Sequence, residues 1–340
     1  MPLRSFFISI FAQNRNMEDI RLKCKMLDKA DLHLHLNGLF NTKIIKDVLI
    51  DEGTFIPSDF KIEQDLNVLN AKRSLASYLK PWDVLRFIPR KQDNLSKLID
   101  SGFAELAANN IKYAELRSSI MYLSLLQQKN LAETIELLIY ELRKAAEKRN
   151  IEFRLIITIP RSEYGLTCLN SLLLAYDSIG RPEDVVGLDL AGNEDLPIPK
   201  NLGKMFKLAK DDFGFKITIH AGETDNLNNI HEAIYLFGAD RIGHGTIAGN
   251  CEKTMELLAK KNICVEVCPI SNRRTGAVKS TESHPVKKFI KNNVPFVLCS
   301  DNPGIHMAGL SDDYFDFYKE TKRFDILENM YSTQIKYSFK

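Results

Sequence analysis

From residue 111 to residue 299 the chain repeats one rhythm, a short run rich in β-branched residues followed by a longer stretch with helical spacing, and this restricts the folds open to it. Ile111–Leu116, Phe153–Ile159, Val185–Leu190, Phe215–His220, Arg241–Gly245, Ile263–Cys268 and Pro295–Cys299 read as strands. Between them Leu131–Arg149 reads as an amphipathic helix with Ile135, Leu138, Leu142 and Ala145 on one side. Leu166–Ser178, Leu202–Phe213, Asn229–Phe237, Glu252–Lys261 and Pro285–Asn292 read as further helices, with Gly214 and Gly238 as stops. An earlier run, Lys29–Leu36, alternates strictly, leucines on one face and Asp31, His33 and His35 on the other, and it raises the strand count to eight. Strands separated by helices favour a parallel sheet, and eight such units favour closure into a (β/α)8 TIM barrel. A doubly wound open sheet is the alternative, but no Gly-rich phosphate turn follows the first strand.

Residues 39–110 hold mostly helical patterns broken at Pro57, Pro81 and Pro89, a helical insertion after the first strand. Insertions of this kind at a barrel mouth commonly form lids. Residues 1–28 read as an N-terminal extension and residues 29–340 as a single barrel domain, with few residues left after the last helix to close it. The patch Arg4–Ala12 is only weakly leader-like, and Met17 is a second candidate start. A net charge of +2 with both signs interspersed gives no field that would recruit nucleic acid or an anionic membrane. No run approaches the roughly 20 apolar residues that span a bilayer. Cys24, Cys168, Cys251, Cys264, Cys268 and Cys299 show no paired spacing, which points to reduced thiols and a cytoplasmic protein. Nothing in the sequence sets an oligomeric state.

The reactive residues fall at the C-terminal ends of the strands: His33 and His35 on the first, His220 and Glu223 on the fifth, His244 on the sixth and Asp301 after the eighth. In a closed barrel those ends surround one mouth, and the first and eighth strands are neighbours. Three imidazoles and one carboxylate from this set suit zinc with room left for water, the equipment of metal-assisted hydrolysis. The small pair Ala221-Gly222 allows Glu223 to turn back toward His220. Other polar residues read more simply. His231 fits packing or surface, His284 a cap before Pro285, and Glu266, on a face shared with Cys264 and Cys268, an ion pair inside the barrel. His306 could line the pocket.

Leu32-His33-Leu34-His35-Leu36-Asn37-Gly38, His220-Ala221-Gly222-Glu223, Arg241-Ile242-Gly243-His244-Gly245 and Ser300-Asp301-Asn302-Pro303 resemble, in order, the motifs of the adenosine deaminase family of the amidohydrolase superfamily. Gly187–Gly192 and Glu266–Asn272, followed by Thr275-Gly276, resemble it too. The H-x-E and P-C-x-x-C signature of the other zinc deaminases is missing. The resemblance implies one zinc ion per chain on His33, His35, His220 and Asp301, and a zinc-bound water whose pKa falls to about 7. It implies that His244 helps deprotonate and orient that water. A protonated Glu223 gives its proton to purine N1, Gly192 meets N3 and Asn302 meets N7. The reaction implied is hydrolytic deamination of adenosine or 2′-deoxyadenosine to inosine or 2′-deoxyinosine and ammonia.

Two departures bear on the substrate. Asn302 stands where the family usually has a second aspartate, and Asn37 where it has the aspartate that meets the ribose 5′-hydroxyl. Loss of that second charge removes a repulsion against a 5′-phosphate. The His-Leu-Asn-Gly form and Glu115–Ser119 resemble the branch that deaminates N6-methyl-AMP, while Thr275–Ala277 and Asp301-Asn302 resemble bacterial adenosine deaminases. The expected partner is therefore a small purine nucleoside or, alternatively, an AMP-level nucleotide. A non-catalytic nucleoside-binding barrel is the other alternative.

Overall fold

The computed structural model describes residues 17–340, so the expectations for residues 1–16 lie outside the described part of the chain. Eight strands, β1 Lys29–His35, β2 Ile111–Ser118, β3 Glu152–Pro160, β4 Val185–Ala191, β5 Lys216–Ala221, β6 Arg241–His244, β7 Cys264–Val267 and β8 Phe296–Leu298, run in sequential order. Every neighbouring pair from β1 to β8 is parallel, which makes the (β/α)8 barrel.

Alternation along each strand divides the core in two. Leu32 and Leu34 of β1, or Ile217 and Ile219 of β5, are fully or almost fully buried on the face opposite His33 and His220, against the helical layer. The helix Leu131–Arg149 starts with a reciprocal cap between Asn130 and Glu133 and buries Ile135, Leu138, Leu142 and Ala145, the side its spacing marks. Inside the barrel the packing is polar: Glu115, Arg117, Asp189, Thr218, Arg241 and Glu266 are all at most 1 % exposed.

The strand ladder itself supplies few bonds at the seam between β8 and β1. Asp301 N–H donates to His33 O at 2.9 Å and His35 N–H to Asp301 O at 2.9 Å. Lower in the seam, the buried Gln334 of the helix Met330–Tyr337 takes over. Its Oε1 accepts from Ala30 N–H at 2.9 Å and from the Tyr314 hydroxyl at 3.2 Å, and its Nε2 donates to Leu298 O at 2.8 Å. The last residues reach the barrel floor. Arg241 Nη1 donates to Tyr337 O at 2.8 Å, and the Phe339 ring centre lies 3.5 Å from the Arg241 guanidinium. Closing contacts are thus plentiful where the sequence suggested few.

The insertion after β1 is helical as expected, with short helices at Thr42–Asp51, Ile62–Asp65, Leu75–Tyr78 and Trp82–Leu85 before the long Gln92–Ala108. Several helices were not expected, among them Ile120–Gln127, Pro269–Arg274 and, after β8, Leu310–Thr321 and Met330–Tyr337. Ile120–Gln127 is nearly uniformly apolar and so carries no period, and Pro269–Arg274 is a short helix opened by its proline. Asn229–Phe237 is an α-helix over Asn228–Glu232 that widens to a π turn over Ala233–Phe237. The six cysteines are all unpaired, and among the described residues no helix is long and apolar enough to cross a membrane.

Replacing Gln334 with alanine strands the Ala30 N–H and the Leu298 carbonyl in a dry seam. The expected loss is about 2–6 kcal/mol, since each unsatisfied buried group costs about 1–3 kcal/mol. Urea unfolding should show a lower midpoint with an unchanged slope. A midpoint equal to wild type would remove Gln334 from the account of closure.

Candidate active site

The strict alternation of β1 turns His33 and His35 inward, and the β5 alternation does the same for His220. Ligand atoms of His33, His35, His220 and Asp301 all lie within 4.8 Å of one another. His35 Nε2 is 3.1 Å from His220 Nε2 and 3.4 Å from Asp301 Oδ1, and His33 Nε2 is 3.5 Å from Asp301 Oδ1.

The far side of two of these rings explains why they suit a cation. His33 Nδ1 lies 2.7 Å from Glu266 Oε2 and His220 Nδ1 lies 2.9 Å from Asp189 Oδ1. A carboxylate accepts and cannot donate, so the ring proton sits on Nδ1 and the lone pair of Nε2 faces the shared centre. His33 Nε2 is buried there without any hydrogen-bond partner. Two imidazole nitrogens face each other at 3.1 Å with only a carboxylate for company, and three nitrogens with one oxygen are a zinc donor set. The residues present fit the ion.

Glu223 and His244 stand beside this cluster, Glu223 Oε2 being 3.8 Å from His244 Nε2. The turn to Glu223 requires Gly222, which has φ +81° and whose Cβ would come within 2.7 Å of Ile230. The buried carboxylate of Glu194 then holds the loop, accepting from Gly222 N–H and Glu223 N–H, both at 2.8 Å. Burial pushes the Glu223 pKa well above the usual carboxyl range, and the Asp301 and Glu194 carboxylates push it the same way. Glu223 is therefore biased toward its protonated form, and its Oε1 has no protein partner.

His244 is held from behind by a chain of bonds. Val286 N–H donates to His284 Nδ1 at 3.2 Å, so the proton of this ring, whose pKa burial lowers to about 4, is on Nε2. His284 Nε2 lies 3.2 Å from Asn272 Oδ1, and Asn272 Nδ2 lies 3.1 Å from His244 Nδ1. Burial and the neighbouring imidazoles keep His244 neutral, well below the usual histidine range. Followed from the backbone N–H, the chain leaves the His244 proton on Nε2, the nitrogen nearer Glu223.

A cavity of about 760 Å³ opens above, large enough for a nucleoside, and His35, His220, Glu223, His244 and Asp301 form its base. Asn37, Gly192 and Asn302 also line it, whereas His33 lies fully buried beneath. His306 is buried and hydrogen-bonds Tyr78, while His231 bonds Thr254. Several residues that hold the site were not singled out from sequence. Tyr78 comes from the insertion, Ser271 Oγ donates to Asp301 Oδ2 at 2.6 Å, Glu194 grips the acid loop, and Arg161 Nη2 donates to His220 O at 3.0 Å. Asp189 and Ser271 lie inside recognisable motifs, but Tyr78 and Arg161 carry no local signal.

A sequence profile described as adenosine deaminase matches residues 28–339. An adenosine deaminase of Clostridium botulinum (strain 657 / Type Ba4) is 32% identical over 280 residues, 82% of this chain and 83% of that protein. Among solved structures, an amidohydrolase of Burkholderia ambifaria with bound Zn superposes with a TM-score of 0.80 at 20% identity, covering 94% of this chain and 88% of that one. The N6-methyl-AMP deaminase of Arabidopsis thaliana gives 0.77 at 24% identity, covering 95% and 94%. With the profile match spanning nearly the whole length, the chain belongs to the adenosine deaminase family.

Proposed function

We propose that the chain is a zinc-dependent hydrolase that converts adenosine or 2′-deoxyadenosine to inosine or 2′-deoxyinosine and ammonia. The observation that carries this reading is the buried Glu223, its pKa raised by burial, beside His244 and above four donors for one metal ion. His33, His35, His220 and Asp301 would hold the zinc; the bound relative from Burkholderia supports that choice of metal. Zinc, when bound, supplies the Lewis acidity that brings the pKa of a water to about 7, so no strong base is required. Glu223 gives its proton to N1 of the purine as the water oxygen bonds to C6; of the two protons that water loses, one goes to the 6-amino group as the C6–N bond breaks and ammonia leaves, and the other restores Glu223. His244, presenting Nε2–H, orients the attacking water, and the Asp301 carboxylate accepts a hydrogen bond from it. Removal of a proton by His244 does not fit a ring whose facing nitrogen already carries one. Gly192, which lines the cavity without a side chain, would meet the ring edge at N3.

The cavity's charges favour a nucleoside. Its cations are all engaged: Lys80 with Asp65 at 3.1 Å, Arg86 with Asp83, and Arg117 with Glu266 and Asp189. A phosphate dianion entering there would lose water and would have to draw Lys80 or Arg86 away from an existing partner. Asn37, uncharged where the family usually has aspartate, favours the second reading, an AMP-level or N6-methyl-AMP substrate like that of the Arabidopsis relative.

Four outcomes test this. Followed by loss of the adenine absorbance band, kcat/KM for adenosine should exceed that for AMP by at least about tenfold; the reverse order would transfer the function to the monophosphate and make Asn37 the switch. Glu223→Gln should lower kcat by about 10²- to 10⁴-fold with zinc content unchanged. Because the acid form of Glu223 is the working form and its pKa is raised, activity should persist at neutral pH and fall as pH climbs through that pKa. A profile that rises over that range would contradict the assignment. Asp189→Asn, which weakens the hold on His220 Nδ1, should reduce zinc affinity about 10- to 100-fold in competition with a chromophoric chelator, and unchanged affinity would count against His220 as a ligand.

A further inference from the structure

Tyr78, on the short helix Leu75–Tyr78 of the insertion, is buried and lines the cavity. Its phenol oxygen meets three groups of the loop after β8: Asn302 Nδ2 at 2.9 Å, His306 Nε2 at 2.8 Å and Asp301 Oδ2 at 3.5 Å. A phenol gives one hydrogen and accepts up to two. Asp301 Oδ2 is distant and already receives the Ser271 hydroxyl at 2.6 Å, so the phenol proton goes to His306. Burial lowers the His306 pKa to about 4, so the ring is neutral and has a bare nitrogen to receive it. With its own proton committed, the phenol oxygen can only accept from Asn302. That polarity selects the NH2 end of the Asn302 carboxamide.

The opposite end of the amide agrees. Asn302 Oδ1 is shut off from solvent without a partner and lies against Gly38, where a Cβ would come within 1.8 Å of it. The polar edge that Asn302 shows to the cavity is therefore its nitrogen. One N–H of that nitrogen is spent on Tyr78, and the other has no protein acceptor among the described residues. A lone donor at that place suits a ring nitrogen and gains nothing from a C–H.

We propose that Tyr78 is a positioning residue for base recognition: through the His306–Tyr78–Asn302 chain it aims the second N–H of Asn302 at N7 of the purine, so that the chain selects six-aminopurines with an acceptor at that position. The proposal rests on the reading of the cavity as an adenine site. Because Tyr78 belongs to the insertion, the same contact ties the cover of the cavity to the group that reads the base.

The test compares adenosine with 7-deazaadenosine, which has C–H in place of N7, in wild type, Tyr78→Phe, Asn302→Ala and the double variant. If AMP proves the faster substrate, AMP and 7-deaza-AMP are compared in the same way. Wild type should prefer the N7 compound by about tenfold or more in kcat/KM. Tyr78→Phe should lose about tenfold on the N7 compound and no more than about twofold on its 7-deaza partner, collapsing the ratio. Asn302→Ala should collapse the ratio by itself, and adding Tyr78→Phe should not move it further, because the two residues act as one unit. Equal losses on both compounds in Tyr78→Phe, a ratio unchanged from wild type, or additive effects in the double variant would overturn the proposal while leaving the deaminase reading intact. If wild type deaminates neither adenosine nor AMP, both fall together.

Discussion

The carboxylate of Glu266, on β7, receives hydrogen bonds from four other strands: His33 Nδ1 of β1 at 2.7 Å, Arg117 of β2, Thr218 Oγ1 of β5 at 2.9 Å and Arg241 Nε of β6 at 2.7 Å. Burial alone would raise its pKa, but Arg117 and Arg241 hold it well below the usual carboxylate range. The two guanidiniums are as deeply buried and depend on it in return, Arg241 sharing itself with Glu115 and Arg117 with Asp189. Removing one member of such a group leaves uncompensated buried charge, which typically costs about 3–5 kcal/mol. The interior of this barrel is thus fixed by charge pairing as much as by apolar packing. The same carboxylate sets the tautomer of His33, so the network that holds the strands also aims a candidate metal donor.

Asp301 has a comparable double part. Its backbone supplies the bonds that close β8 onto β1, and its side chain is the one carboxylate of the donor cluster. It adopts φ +65°, and His244 adopts φ +64°, left-handed conformations that side chains seldom take. Both lie just where a strand gives way to a loop. Strain kept at two such places, each held by surrounding bonds, fits residues retained for chemistry. A substitution at Asp301 would therefore touch closure, backbone and metal binding at once, which makes it a poor probe of any one of them. Asp189 and Glu223 separate those effects better.

Much of this is legible in the amino-acid sequence itself. The period-two alternation of Lys29–Leu36 and the strand-end positions of His220, His244 and Asp301 put these side chains at one barrel mouth, where they are found, because side-chain direction in a strand is set by count alone. Glu266 could be read as inward and paired from its neighbours Cys264 and Cys268. What could not be read is anything that depends on distant segments meeting. Tyr78 looks like any aromatic of a helical stretch until its hydroxyl is seen 2.9 Å from Asn302, and Arg161 looks like a loop cation until it is found on the His220 carbonyl. Gln334 and Phe339 carry no motif, and their role in the seam and floor follows only from closure of the barrel. The bond chain from Val286 through His284 and Asn272 to His244 likewise joins segments that the sequence shows merely as a cap, a motif and a strand end.

One metal ion among the three imidazoles and one carboxylate at the mouth of this charge-braced barrel is what the proposed function requires. X-ray absorption at the zinc edge of the zinc-loaded protein tests it most directly. The expected result is one zinc per chain with nitrogen and oxygen neighbours at about 2.0–2.2 Å and the outer scattering of imidazole rings. A sulfur shell at about 2.3 Å would instead move the metal to a thiolate such as Cys268 or Cys299, which follow β7 and β8 directly. That result, or a shell of oxygen alone, would contradict the account.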